Sequence, residues 1–404
     1  MDHGCGGGLM GARAGRSAAA PLGIVVLVGL AVLAACAPPA GPPAPPSPPV
    51  ISQFVVRSER SAAPVLATYG WQVSDPNNDV LRCRVDVDSD GSVEHDIVPC
   101  RSASTVLEQF DTAGARTATL EVTDGSSDPV VATTTLAVGP GPSEPYDITL
   151  RLDPSMRPEF RQAFTDAAER WESVLVAGVP DVRLDLPAGL FGWVPAYNGM
   201  VDDVLIDARD SAIDGPGEVL GRAGGLLIRE PRWQPYYGVM EFDTADLDAL
   251  AASGRLGDVI LHEMGHVLGL GTNWVLTGFV TDLLTDPAYT GRGGVAAFQA
   301  LGGARYVPLE DDGGLGTVVG HWREATFGDE LMTGYLGGRP VRMSRMTIAA
   351  LADLGYGVDL AGADPYTLPT PAAAARAPDG DEHLHTEPLT PFLDGLPAQL
   401  PGAD

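Results

Sequence analysis

The sequence predicts a multidomain protein in which a β-sandwich at residues 51–140 precedes an α+β domain at residues 141–370. Three observations lead there. The 404-residue length exceeds that of one ordinary domain. Short runs that alternate apolar with polar residues recur through the first segment, as half-buried strands require. The second segment mixes such runs with apolar residues at helical spacing, separated by long Gly-rich stretches.

At the N-terminus, residues 1–35 place Arg13 and Arg16 ahead of an apolar run, Leu22 to Ala35. That run is too short for a comfortable membrane span and suits the core of a signal peptide. It closes with Leu33-Ala34-Ala35-Cys36, which resembles a bacterial lipobox. The resemblance implies cleavage before Cys36 and lipidation of that cysteine; an ordinary secretory signal cleaved nearby is the alternative. Residues 36–50 are uncharged and rich in proline, favour extended polyproline II and read as a tether. Residues 371–404, acidic and rich in Pro and Ala, read as a disordered tail. The expected location is the cell membrane or outer membrane, reached through a lipid anchor, with the protein facing the surface or periplasm.

Composition excludes several functions. The net charge is -28, and every basic residue is Arg. Without a basic stripe, binding to nucleic acid through its phosphates is not expected. Without lysine, Schiff-base and P-loop mechanisms are ruled out. The acidity is spread over every segment beyond residue 50, which favours solubility.

In residues 51–140 the strands are Tyr69 to Val73, Leu81 to Val85 and Ala118 to Val122, punctuated by turns at Asp75 to Asp79 and Asp124-Gly125. Of four cysteines, Cys5 lies in the signal and Cys36 at its end, leaving Cys83 and Cys100 as one disulfide. Such a link is worth about 3 kcal/mol in the chain-entropy picture. The Trp71 strand, the Asp-rich turn and Val122-Thr123-Asp124-Gly125 resemble PKD-type and other Ig-like modules. Asp86, Asp88 and Asp90 match the first half of an EF-hand loop, but position 12 is Ile97 where a bidentate Glu belongs. The segment reads as a hairpin turn with solvated aspartates; a Ca2+ site is the alternative.

Residues 141–370 open with a strand at Asp147 to Leu152 and an amphipathic helix from Pro158 to Leu175. The chemistry lies in Val259 to Gly269, which contains His262-Glu263-Met264-Gly265-His266. On a helix the two histidines stand at i and i+4 and face one metal. Glu263, beside the first of them, can take a proton from the attacking water and pass it to the leaving amine. A catalytic zinc needs a third protein ligand. Among seven histidines, His3 lies in the signal, His95 in the β segment, and His383 and His385 in the tail, which leaves His321. A carboxylate, Glu324, Asp329 or Glu330, is the alternative. The Gly-rich residues 272–320 between them read as an insertion that lines a substrate cleft.

These residues resemble the metzincins, which read H-E-x-x-H-x-x-G-x-x-H. His262, Glu263, His266 and Gly269 fit, but position 272 is Thr. Leishmanolysin-like proteases displace the third histidine by a long insertion to a segment similar to His321-Trp322-Arg323-Glu324 and Asp329-Glu330-Leu331-Met332. Val201 to Ile206, Ile213 to Gly224 and Met346 to Tyr356 also look like bacterial relatives of that family, so the resemblance covers roughly 145–360. It implies one catalytic Zn2+ held by His262, His266 and His321, with Met332 as the Met-turn methionine; Met343 and Met346 compete for that place. It also implies an endopeptidase that cleaves proteins or peptides in the cell envelope. The opposing expectation is a non-catalytic adhesion protein with a structural or vestigial metal site.

Overall fold

The computed structural model describes residues 47–370, apart from 101–102, 218, 230–232, 315–316 and 337–339. The expected signal peptide, Cys36, most of the tether and the acidic tail lie outside the described residues.

The first part is built from β1 (Val50–Arg57), β2 (Val65–Ser74), β3 (Arg82–Asp86), β4 (His95–Ile97), β5 (Ala103–Phe110), β6 (Gly114–Thr123) and β7 (Val130–Val138). They form two antiparallel sheets, ordered β1-β2-β5 and β4-β3-β6-β7. The two-residue side-chain period of a strand sends Trp71 and Val73 of β2, Val85 of β3 and Leu120 and Val122 of β6 into one core shared by both sheets. Cys83 and Cys100 are joined by a disulfide whose Cα atoms are 5.5 Å apart.

The second part carries β8 (Ile148–Leu152), α1 (Pro158–Glu172), β9 (Leu175–Ala177), β10 (Val182–Leu186), β11 (Tyr197–Val201), β12 (Val204–Ser211), β13 (Gly221–Arg229) and β14 (Gln234–Asp243). Then come α2 (Leu247–Ser253), α3 (Leu256–Val267), the two-residue strands β15 (Val280–Thr281) and β16 (Ala288–Tyr289), α4 (Arg292–Ala300), β17 (Val307–Pro308), α5 (Glu324–Phe327), α6 (Arg345–Asp353) and β18 (Gly357–Val358). The main sheet runs β13-β14-β12-β8. β14, β12 and β8 are parallel and β13 is an antiparallel edge. One face packs on α1 and α3, with Phe242 edge-on to Phe164 at 5.2 Å. The opposite face buries Leu205, Tyr237 and Val239 under the β10–β11 hairpin, against Leu184 and Leu186.

Two elements differ from the sequence reading. The helix expected over 158–175 ends at Glu172. Leu175 instead starts β9, which pairs with β18, and the Val174 carbonyl accepts from Asp359 N–H at 2.9 Å. A long-range strand partner outweighs the local helical pattern here. The insertion 272–320, read only as a Gly-rich stretch lining a cleft, holds α4, which buries Gly293, Gly294, Val295, Ala296, Ala297 and Phe298. Its glycines hide the helical period, and the packed surface of α6 supplies what they lack.

The two parts interlock. Leu66 of β2 is buried in the core of the second part, and Leu107 of β5 packs against that core. Thr105 Oγ1 donates to Gln299 Oε1 at 3.1 Å, and Leu360 N–H to Gln109 Oε1 at 2.9 Å. Burying a leucine fully is worth roughly 1.5–3 kcal/mol.

Candidate metal centre

α3 begins where Gly254, at φ 72°, ends α2. It is buried from Val259 onward on most of its surface, including His262, Glu263, Met264, Gly265 and His266. A helix apolar nearly all round can only be a core helix, so its few polar groups lie in a dry interior. Beyond Val267 the chain reverses through Gly269 at φ 101° and Gly271 at φ 73°, conformations that L side chains resist. Gly271 has a second constraint: a Cβ there would lie 2.0 Å from the Gly320 carbonyl oxygen. That approach brings the end of the long insertion back to the helix, next to His321. Trp274 stacks on Trp322 with centroids 4.3 Å apart, clasping the same junction.

His262, His266 and His321 meet as three fully buried imidazoles. Their Nε2 atoms are 2.9 Å apart for His262 and His266, and each lies 3.1 Å from the Nε2 of His321. Every Nδ1 faces a backbone carbonyl: Leu331 O at 2.7 Å from His262, Leu270 O at 2.8 Å from His266, and Thr317 O at 2.9 Å from His321. Since a carbonyl only accepts, each Nδ1 carries the proton and each Nε2 presents a lone pair. Three lone pairs converging at about 3 Å repel one another unless a cation lies between them. Zinc–nitrogen bonds of about 2.0–2.1 Å fit a triangle of this size. Burial pushes the imidazole of His262 down to about 4, and the imidazole of His266 well below its usual range, through burial first and then its two histidine neighbours. Both are thus neutral, the form that binds metal.

Glu263 is fully buried, and neither carboxylate oxygen has a hydrogen-bond partner among the described residues. Burial pushes its carboxyl well above the ordinary carboxylate range. A buried carboxyl without partners costs several kcal/mol and calls for a task. Gly221, which opens the edge strand β13, lies against it; a Cβ there would sit 3.3 Å from Glu263 Cγ. Met332 lies against Gly265, between the two helical histidines, with Sδ 2.8 Å from where a Cβ on that glycine would be. Met343 and Met346 are buried core residues.

The structure does not bring Glu324, Asp329 or Glu330 into the imidazole cluster. Glu330 turns its oxygens to Met332 N, Ser344 and Thr347. Thr272 turns its hydroxyl to the His266 carbonyl at 2.8 Å, closing the end of the helix. Sequence reasoning missed the three carbonyl acceptors, because backbone groups leave no residue-type signature. It considered Glu330 only as a ligand.

The carboxylates of Asp86, Asp88 and Asp90 come within 4.8 Å of one another, as do those of Asp75, Asp79 and Asp124. In the first group Asp86 accepts from Gly91 N–H and Asp90 from Ser92 N–H, the internal bonds of a turn. His95 lies apart, 3.4 Å from Glu108. No helix among the described residues is long and apolar enough to cross a membrane.

Comparison with known proteins gives a match to a family over part of the chain and a few likenesses. Residues 229–369 match the leishmanolysin peptidase family. The leishmanolysin homolog of Crithidia fasciculata is 32% identical over 134 residues, covering 30% of this chain and 20% of that protein. The chain thus spans about a fifth of the length of the curated relative it matches. Two solved structures are also similar. The PKD domain of a peptidase from a Thermoplasmatales archaeon has TM-score 0.20 and 20% identity, covering 24% of this chain and 97% of that domain. A carbohydrate-binding module of the β-sandwich superfamily has TM-score 0.19 and 13% identity, covering 36% of this chain and 51% of that one. The segment that holds all three histidines is leishmanolysin-like, and that family is one of metalloendopeptidases.

Proposed function

We propose that residues 141–370 form a zinc endopeptidase, with His262, His266 and His321 as the metal ligands and Glu263 as the general base. One observation carries this reading: an uncommitted buried carboxyl stands beside three converging imidazole lone pairs. Zinc held there supplies the Lewis acidity that activates a peptide carbonyl toward water. The three imidazoles, fixed as neutral Nδ1–H tautomers by carbonyl acceptors, would hold the ion through Nε2. Glu263 takes the proton of the attacking water and returns it to the departing amine, so it ends the cycle unchanged. Val259, Ile260 and Met264, fully buried on the same helix, keep the interior around α3 apolar. Among the described residues β13 has a strand neighbour on one side only, and its first residue lies against Glu263. An extended peptide pairing with its open edge would deliver an amide to the site.

The decisive comparison is wild type against Glu263→Ala on unfolded protein substrate, each with measured zinc content. The variant should keep one zinc and lose cleavage, as the wild type should with a chelator. Undiminished cleavage by the variant would refute the assignment. We further propose export and lipid anchoring at Cys36, on the strength of the Leu33-Ala34-Ala35-Cys36 motif. Cys36→Ser should move the protein from the membrane fraction to the soluble one.

A further inference from the structure

Glu330 is fully buried at the start of the Met332 turn, with no cation paired to it among the described residues. Four donors converge on its two oxygens. Oε1 accepts from Ser344 Oγ at 2.6 Å, Thr347 Oγ1 at 2.5 Å and Ser344 N–H at 3.2 Å. Oε2 accepts from Met332 N–H at 2.7 Å. Both hydroxyls are themselves acceptors: Ser344 Oγ from Thr347 N–H at 3.3 Å, and Thr347 Oγ1 from the Trp322 indole N–H at 2.9 Å. Their protons therefore point at Glu330. Only a carboxylate accepts on both oxygens; an amide would set an N–H₂ against one of these donors.

The bonds made by the neighbours of Glu330 give this hub its consequence. The Leu331 carbonyl is the one that fixes His262 Nδ1. The Met332 carbonyl accepts from Trp322 N–H at 2.9 Å, next to His321. The Trp322 indole reaches Glu330 through Thr347. One side chain thus ties the turn beneath the first ligand to the segment bearing the third, and the two ligands themselves stand 59 residues apart in the chain. Burying a carboxylate with no cation beside it is a costly way to close a turn, and the four donors that face it would be orphaned by any residue without two acceptor oxygens.

We propose that Glu330 is a positioning residue that sets the geometry of the three-histidine metal site by anchoring the Leu331–Met332 turn and the His321–Trp322 segment together. This rests on the reading that the histidines hold zinc, but not on peptidase activity. The test uses the full chain in wild-type, Glu330→Gln, Thr347→Val and Asp353→Asn forms. Asp353 is another deeply buried carboxyl, bonded to Tyr289, Gly293 and Gly294 and to neither ligand-bearing segment. Three quantities are read: zinc affinity by chelator competition, the visible bands of the Co(II)-loaded protein, and the urea midpoint of the metal-free protein. Glu330→Gln opposes an N–H₂ to Met332 N–H or to the two hydroxyls, and should weaken zinc binding by about 10- to 100-fold with shifted Co(II) bands. Thr347→Val should move both in the same direction by less, and serves alone if the first variant does not fold. Asp353→Asn should leave both within about twofold whatever it does to stability.

Unchanged zinc affinity and Co(II) bands in Glu330→Gln, with only the urea midpoint lowered, would make the residue merely structural and overturn the proposal. Loss of stoichiometric zinc from a folded Glu330→Gln would make it a ligand and overturn it equally. A wild type that binds zinc but cleaves nothing refutes the peptidase and leaves this inference standing. A wild type that binds no zinc removes both.

Discussion

The pair His262 and His266 with Glu263 between them was legible because helical geometry turns a four-residue spacing into a common face. His321 was legible by elimination and by the likeness of the His321-Trp322-Arg323-Glu324 segment to leishmanolysin-like proteases, since no regular spacing links it to the other two. If it is the third ligand, His321→Ala should lose stoichiometric zinc in elemental analysis, whereas Glu324→Ala should retain it. A second residue-scale prediction concerns Asp353. Burial pushes its carboxyl up to about 6, against donors from Gly294, Gly293 and Tyr289 that favour ionisation. The folded chain therefore holds this proton more tightly than the unfolded one. The group supports folding below about pH 4 and loses that contribution as pH rises through about 6. The difference corresponds to about 3 kcal/mol. Denaturant titrations of metal-free wild type and Asp353→Asn should show the wild type losing about that much relative to the variant between pH 4 and 7. Parallel profiles would show that Asp353 ionises normally in the folded chain.

Among elements, α3 decides the site and its surroundings decide α3. Two of its neighbouring glycines should respond in opposite ways. At Gly271 a methyl group would meet the Gly320 carbonyl, and the backbone lies in the left-handed region. Gly271→Ala should cost more than about 2 kcal/mol by urea denaturation and weaken zinc binding, because it pushes away the segment that carries His321. At Gly257, inside α3, a Cβ would meet nothing within 4 Å. Gly257→Ala should stabilise by about 0.5–1 kcal/mol through the unfolded chain. The same physics explains which elements were hard to read. α1 was legible to within one turn from Phe160, Phe164, Ala167 and Trp171, which are buried at helical spacing. Its end was not, because β9 exists only through its pairing with β18, about 180 residues further on. α4 was illegible because Gly293 and Gly294 sit where a pattern would need apolar side chains. They are required there so that their N–H groups can reach Asp353, at 2.7 and 2.9 Å.

For the whole molecule, the informative fact is the placement of Leu66 and Leu107. The strands that bear them were expected, and their alternation was plain. It could not be read that one face of β2 and β5 serves a second core, since a sequence reports periodicity and not the identity of the partner. Because Leu66 completes the larger core, unfolding of metal-free protein should show a single calorimetric transition. Leu66→Ala should lower that transition as a whole, by about 2–5 kcal/mol. Two separable transitions, with only the first shifted, would show that the parts fold independently. The interlock also bears on inheritance. A recombination event that joined residues 141–370 to a different N-terminal module would leave unfilled the seats of Leu66 and Leu107 and the hydrogen bonds offered by Gln299 and Leu360. Exchange of the β segment would then have to carry its docking residues with it, so the two parts should diverge as one lineage and not be traded as separate modules.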